Sequence, residues 1–457
     1  MEFLSIPFFC CMLVVFILYY AKAERQWQRG VLLLSSCIFI GYYHIVYLIF
    51  AIAMSLVTFV WGRWLHRKAD TRQASYIFIG GLAVLVGTWL VSRYWLPVFP
   101  LGISFYTFQA ISYLIEIYWG EDDEEDWLDF TLYMLLFMKF LSGPIERAQE
   151  FIPQLKGVRT FCYDKVVAGA KLLAWGAFMK LVVADRVAPS LNTVFDNVRE
   201  ASGMQILQAT LIYPIQLYAD FAGYTNMAIG LALMLGFSLS PNFNRPFAST
   251  STGELWRRWH MSLSFWVRDY IYMPLSASCR QWKKAGIYFS LLVTFVTIGV
   301  WHGAGWTFAL YGLFQGFIII YETAAHNVRE YVRQFFPSWL WTTVMILRTY
   351  ILFALSLLLF RIATLNDTLY AYRHMFDGIN SSAKELQLGM ADRYWIYLGV
   401  ATVIMLTVEY IHHERCNLIE WTARQRPLVR WTCYYALLVL IFIFGAFGVD
   451  NFIYIQF

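Results

Sequence analysis

One imidazole stands out among the residues whose chemistry could matter. His302 follows Trp301 in the segment 298–306, between two apolar stretches that are each long enough to enter a bilayer. An ionisable side chain at membrane depth is costly and marks a functional site or pathway. Burial disfavours the charged ring and keeps a lone pair available, so His302 is a candidate general base. The alternative is a core histidine bonded to a neighbouring helix carbonyl.

A second polar cluster interrupts the apolar run of residues 204–239. Segment 213–226 contains Pro214 and several polar residues, and its only charge is Asp220. This pattern predicts a broken helix that lines a cavity, where the freed backbone groups can be satisfied. Asp220 would either orient an imidazole or a substrate hydroxyl, or cap a half-helix.

A third pattern covers residues 254–273, where apolar residues recur at helical spacing and predict one amphipathic helix. Arg257, Ser264 and Arg268 fall on another face, with His260 beside them. Such a helix either lies in the membrane interface with its arginines among the headgroups, or it forms a vestibule. In a vestibule the guanidinium groups would hold a phosphorylated donor through paired hydrogen bonds.

The remaining histidines and the seven cysteines show no metal-ligand spacing. His412 and His413 are adjacent in sequence and would not converge on one ion. An odd number of scattered cysteines gives no disulfide framework. We therefore predict no metal site and no permanently bound cofactor.

Helices in a membrane must position these residues. The chain has 457 residues, of which 59% are hydrophobic and 14% charged, a balance that excludes a soluble globular protein. We predict an all-α polytopic membrane protein with about 11 to 14 membrane helices around a central funnel, some of them re-entrant or half-spanning. The net charge of +5 is spread over loops. It indicates membrane orientation and contact with lipids rather than a nucleic-acid partner.

Charge also predicts the topology. The basic loops 62–73, 241–285 and 412–430 should face the cytoplasm. The first apolar run carries its positive charges behind it, so we expect an uncleaved span rather than a signal peptide. Both chain ends then lie outside the cytoplasm, and the turn at 301–306 lies near the outer face.

Hydrophobic runs also predict the domain organisation. We expect a single membrane domain over residues 1–457, with N-terminal spans in 1–100, a core in 101–322 and C-terminal spans in 323–457. The runs 31–61 and 204–239 are too long for one span. Each should form a hairpin or a broken helix.

Seven short segments are each weak evidence for a protein family, but their combination is specific. They are 100–109, 143–147, 220–230, 242–247, 256–264, 301–303 and 452–457. In this order they resemble the membrane-bound O-acyltransferase family, in particular its bacterial branch of alginate O-acetylation and, more distantly, teichoic-acid D-alanyl transfer.

The resemblance implies a helical bundle around a thinned centre, with a cytoplasmic funnel leading to a buried histidine. His302 would correspond to the catalytic histidine and His260 to a second histidine of the family pattern, while Asp220 matches a polar position near the site. There are two departures. The alginate type usually has an acid where Asn226 stands, and a second histidine where Gln315 stands.

The expected reaction moves an acetyl or other small acyl group from cytoplasmic acetyl-CoA, or from another acyl thioester such as an acyl carrier, to a hydroxyl that arrives from outside. His302 would remove the hydroxyl proton or carry the acyl group covalently, and freed backbone amides would help stabilise the oxyanion. Other candidates fall into two groups: Trp301, Asn226, Tyr224 and Gln315 for the oxyanion and the tunnel wall, and Arg245, Arg257 and Arg258 for the donor phosphates.

Family analogy implies that a bacterial inner-membrane protein of this kind works with an extracytoplasmic partner transferase that O-acetylates an exopolysaccharide. One alternative is the same chemistry on a lipid, teichoic-acid or protein hydroxyl. Another is a flippase for lipid-linked glycan, with His302 and Asp220 in a proton relay. A third is a catalytically silent scaffold, which would tolerate loss of His302.

Overall fold

The computed structural model describes residues 3–95, 100–120, 126–141, 143–378 and 387–448. Every regular element in these ranges is helical, which confirms the predicted all-α class. The terminal segment 452–457, which contributed to the family resemblance, lies outside the described residues.

The helices are numbered in chain order. The first half of the chain contains α1 Ile6–Ala21, α2 Arg25–Tyr43, α3 Ile45–Arg67, α4 Gln73–Tyr94, α5 Ile103–Tyr118, α6 Trp127–Leu135, α7 Phe137–Phe140, α8 Ala148–Leu155, α9 Tyr163–Phe178, α10 Asp185–Asp196 and α11 Gly203–Met234. The second half contains α12 Thr252–Arg258, α13 Met261–Val267, α14 Met273–Ser278, α15 Lys284–His302, α16 Trp306–Ala324, α17 His326–Arg333, α18 Ser338–Arg361, α19 Leu365–His374, α20 Asp392–Glu414, α21 Leu418–Arg424 and α22 Pro427–Phe444. Two π-helical segments, Met179–Ala184 and Arg268–Tyr272, join neighbouring α-helices.

Several helices are long and apolar enough to cross a membrane, so the chain is a multi-pass membrane protein. Seven candidate spans are found in the described ranges: Ile45–Arg67, Gln73–Tyr94, Tyr163–Asp196, Lys284–His302, Ser338–Arg361, Asp392–Glu414 and Pro427–Phe444. Helices α16 and α17 meet at a bend of 62° and together form an eighth broken span or a re-entrant pair. The described ranges thus contain seven or eight candidate spans, fewer than the 11 to 14 membrane helices predicted.

The chain divides into two compact units. The first comprises residues 1–173 and 224–241, and the second comprises residues 174–223 and 242–457. In the first unit, Arg25 and Arg29 of α2 reach the buried carboxylate of Asp129 in α6 at 2.6 and 3.1 Å. The second unit contains both histidines of interest.

The two long apolar runs behave differently. The expected break within residues 31–61 is confirmed at His44, where the backbone is extended and the ring Nδ1 accepts from the Val46 amide at 3.2 Å. The expected break within 204–239 is wrong, because α11 continues through Pro214 to Met234. Its polar residues have partners on other helices: Tyr218 donates to Glu409 at 2.6 Å, and Asp220 pairs with Lys180.

The single amphipathic helix predicted over 254–273 is also wrong. The segment is broken between α12 and α13, where His260 adopts a left-handed conformation with φ 44° and ψ 54°. Its apolar side chains are buried in protein rather than facing lipid: Leu255, Trp259, Leu263, Trp266 and Tyr270. Segment 254–273 is therefore not an interfacial helix whose apolar face lies against the membrane.

Candidate active site

A tight helical hairpin places His302 at the last residue of α15. The turn 303–305 follows, and α16 packs back along α15. A Cβ at Gly299 would collide with the Phe308 carbonyl, and a Cβ at Gly312 would collide with the Phe295 carbonyl. These two glycines therefore allow the backbones to approach closely beneath the imidazole.

The His302 ring is 6% exposed and lies among aromatic rings. Its centroid is 4.6 Å from that of Trp301, 5.1 Å from that of Phe360 on α18 and 6.4 Å from that of Tyr311 on α16. Such packing fixes the orientation of the ring and excludes bulk water from its faces.

The second histidine approaches the same indole. The His260 ring lies 6.2 Å from the Trp301 ring, and Phe221 of α11 packs edge-on against it at 4.7 Å. On its other side, His260 Nδ1 is 3.1 Å from Oδ1 of Asn242. The structure therefore brings His260 close to Trp301 and His302, although 42 positions separate His260 from His302 in the sequence.

Burial controls the charge of His260, which lies outside the candidate spans. Desolvation first, and then the neighbouring His302 ring, hold the pKa of His260 well below its ordinary value. Near neutral pH the ring is therefore neutral, and one of its nitrogens carries a lone pair.

Asp220 of α11 takes part in a buried cluster of ion pairs with Lys180 and Asp185, which lie where the segment Met179–Ala184 joins α10. Its Oδ1 lies 2.8 Å from Nζ of Lys180, which also contacts Asp185 at 2.7 Å. All three side chains are at most 7% exposed. Sequence reasoning missed Lys180 and Asp185, although a lysine and an aspartate at the end of an apolar run were a visible signal.

Gln315 connects three helices. Its Oε1 accepts from Nε1 of Trp256 in α12 at 3.1 Å, and its Nε2 donates to Oγ of Ser356 in α18 at 2.7 Å. Both groups of the amide are thus engaged within the protein, and they hold the Trp256 indole in place.

Two predicted tunnel residues belong to the other compact unit. Tyr224 is buried and stacks on Phe3 with ring centroids 4.5 Å apart, while Asn226 is half-buried on α11. Their predicted roles at the oxyanion stay predictions.

A cavity of about 620 Å³ opens beside α12 and α15. On α15 its lining residues are Ile287, Leu291, Thr294, Phe295 and Ile298. This spacing places one helix face along the cavity for roughly 16 Å, given 1.5 Å per residue. Ile298 is one helical turn before His302, so the face of α15 that lines the cavity ends one turn from the imidazole.

Basic residues line the same cavity. They are Arg257 and Arg268, together with His326 and Arg329 of α17, which were not predicted from the sequence. Nε and Nη2 of Arg268 donate to the adjacent Asp269 carboxylate at 2.6 and 3.1 Å. The buried Glu322 carboxylate also lines it, accepting from the Thr252 amide at 3.0 Å and pairing with Arg348. The cavity therefore has the charge needed to bind phosphate groups and an apolar wall along α15.

The other two predicted donor arginines are paired with carboxylates. Arg245 pairs with Glu414, and Arg258 pairs with Glu254 at 2.8 Å. Neither lines the cavity. Among the described residues, no group of three histidine, cysteine or acidic side chains could hold a metal ion.

Comparison with known proteins identifies the family. The sequence model of the MBOAT, membrane-bound O-acyltransferase family, matches residues 124–362, which include both histidines and the cavity. The chain belongs to the membrane-bound O-acyltransferase family. It is an O-acyltransferase built into a membrane.

Individual relatives agree with this membership. A Pseudomonas fluorescens protein named "Probable alginate O-acetylase AlgI" is 32% identical over 77% of this chain and 72% of its own length. The protein of the same name from Pseudomonas putida is 29% identical over 94% of this chain and 90% of its own. The teichoic acid D-alanyltransferase of Bacillus subtilis is 32% identical over 54% of this chain and 64% of its own.

Proposed function

We propose that this O-acyltransferase takes an acetyl group from cytoplasmic acetyl-CoA and passes it across the membrane for O-acetylation of an extracytoplasmic polysaccharide. The observation that carries the proposal is the basic cavity that runs along α15 to within one turn of His302. Relatives named for alginate O-acetylation favour a polysaccharide as the final acceptor.

The donor binds with its charged end at the cavity mouth. Arg257 and Arg329 offer guanidinium groups that form charge-assisted hydrogen bonds with phosphate oxygens. Arg268 also lines the cavity, but its Nε and Nη2 already donate to Asp269. The pantetheine arm then lies against the face of α15 that lines the cavity. The last residue of that face is Ile298, and α15 itself continues to His302. This arrangement delivers the thioester to the imidazole of His302.

His302 acts as the general base in the transfer step. Its neutral ring accepts the proton of the acceptor hydroxyl while the oxygen attacks the thioester carbonyl. The C–S bond breaks, and the CoA thiolate leaves and takes up the proton from the imidazolium. The indole N–H of Trp301 is the donor for the developing oxyanion. Because α11 is unbroken, it supplies none of the freed backbone amides expected from segment 213–226.

The acetyl ester then reaches the polymer through a partner O-acetyltransferase outside the cytoplasm. The experiment compares the ester content of surface polysaccharide in cells with the intact protein, with His302→Ala, and with the control His374→Ala. His374 is a surface histidine of α19 that pairs with Asp377. Loss of esters with His302→Ala alone supports the proposal. Unchanged esters, or lost export of the polymer itself, contradict it.

A further inference from the structure

One buried side chain outside the predicted site makes an unusual set of contacts with His260. Asn242 precedes α12, is 1% exposed, and accepts three contacts at its Oδ1. Oγ of Ser262 lies at 2.9 Å, the backbone N of Ser262 at 3.2 Å, and Nδ1 of His260 at 3.1 Å. The Asn242 carbonyl also accepts from the Met261 amide at 2.8 Å.

These contacts determine which ring nitrogen carries the proton. Oxygen and nitrogen of an asparagine amide are normally assigned from the hydrogen-bond network. Here the backbone N–H of Ser262 can only donate, so the Asn242 atom that faces it must be the oxygen. The same oxygen faces Nδ1 of His260 and cannot donate to it. In the neutral ring, Nδ1 therefore carries the proton and Nε2 carries the lone pair.

The backbone supports the same arrangement. His260 has a left-handed φ of 44°, a conformation that a non-glycine residue adopts only when its surroundings determine it. Asn242 also accepts hydrogen bonds from the backbone amides of Met261 and Ser262, the two residues that follow His260. It thus fixes the turn as well as the ring.

We propose that Asn242 is a positioning residue that keeps His260 in the Nδ1-protonated tautomer, so that Nε2 is a hydrogen-bond acceptor in the acyl-transfer site. The tautomer follows from the contacts alone, whereas its importance for turnover rests on the proposed function. The titratable group that faces His260 is His302 from α15, while α11 presents the uncharged Phe221 ring.

The direct test is nitrogen NMR of the full-length protein in lipid, labelled with ¹⁵N-histidine and assigned by the signal lost in His260→Gln. The expected spectrum at neutral pH shows a protonated Nδ1 and an unprotonated Nε2 for His260. The opposite pattern would overturn the proposal. The NMR spectrum does not depend on turnover. An absence of acetyl transfer would therefore contradict the proposed function and leave the tautomer assignment intact.

Variants of Asn242 then distinguish two roles: orienting the His260 ring and stabilising the backbone turn at His260. Asn242→Leu removes the acceptor and is expected to lower kcat at least tenfold, with an unchanged KM for acetyl-CoA. Asn242→Asp keeps an acceptor and adds a negative charge, which raises the pKa of His260 and moves the acid limb of the pH–rate profile to higher pH. The matched control, Asn244→Leu, lies two residues along the same segment and should leave the profile unchanged. An acid limb that does not move in Asn242→Asp contradicts the proposal.

Discussion

Trp301 is a common neighbour of two of the eight histidines, His260 and His302. His302 follows Trp301 at the end of α15, whereas His260 approaches the indole from the turn between α12 and α13. His302 was predictable from sequence because an imidazole between two apolar stretches is rare. Asn242 was predicted only as part of the family segment 242–247, because the hydrogen bond that it makes 18 residues along the chain leaves no local pattern.

Two adjacent arginines, Arg257 and Arg258, were both predicted to bind the donor phosphates, but the structure places them differently. Arg257 lines the cavity, whereas Arg258 pairs with Glu254. Arg257→Gln is expected to raise the KM for acetyl-CoA roughly tenfold with little change in kcat, because a lost hydrogen bond to a charged group costs about 1.5–3 kcal/mol. Steady-state kinetics in proteoliposomes measures this effect.

The control for this experiment is Arg333→Gln, which removes an exposed charge from α17 that pairs with Glu330. Its KM should match that of the unmodified protein. A larger rise in KM for Arg258→Gln than for Arg257→Gln would show that the cavity is not the donor site.

The α15–α16 hairpin depends on close backbone contact. Gly299→Ala would force the helices apart at the Phe308 carbonyl, one turn from His302. Overpacking of this kind costs about 1–3 kcal/mol, so we expect a lower Tm and a loss of transfer activity. Thermal unfolding and acetyl-CoA turnover of the purified protein measure both.

The matched control is Gly399→Ala in α20, where an added Cβ would meet no atom within 4 Å. Alanine favours a helix over glycine by about 1 kcal/mol, so Tm should stay the same or rise. If both variants behave alike, close packing of the hairpin does not position His302.

The hydrogen bonds of Gln315 give a second prediction about the helices. Gln315→Leu leaves the indole N–H of Trp256 buried without its acceptor, at a cost of about 1–3 kcal/mol. We expect a clear decrease in Tm, measured by thermal unfolding in detergent. Ser356→Ala removes the opposite contact of the same amide but leaves the indole bonded. An equal loss in both variants would contradict the assigned role of the indole bond.

Local sequence patterns predicted where helices occur better than they predicted where those helices are broken. The break at His44 and the turn after His302 followed from run length and from glycine, and the structure contains both. The break expected within α11 does not occur, and the break after Arg258 was not expected, because distant partners decide both. Asp220 pairs with Lys180 while α11 continues as one helix. The turn at His260, in contrast, is held by Asn242.

Stability of the entire protein should depend on pH through His260. Because its pKa in the folded state is depressed, the unfolded chain binds a proton below about pH 6.5 that the folded chain does not. Stability therefore falls as the pH decreases from 7 toward 5. Thermal unfolding across this range should show a shallower decrease for His260→Gln. Identical slopes would mean that His260 is not buried as a neutral ring.

The path from the basic cavity to His302 is the central claim, and turnover of acetyl-CoA tests it most directly. Purified protein in proteoliposomes would be given acetyl-CoA on the cavity side and an acceptor polysaccharide with its transferase on the other. General-base catalysis contributes about 10²- to 10⁴-fold, so His302→Gln should lose at least a hundredfold in kcat, with correct folding and an unchanged KM for acetyl-CoA. A folded His302→Gln protein that transfers acetyl at the original rate would contradict the account.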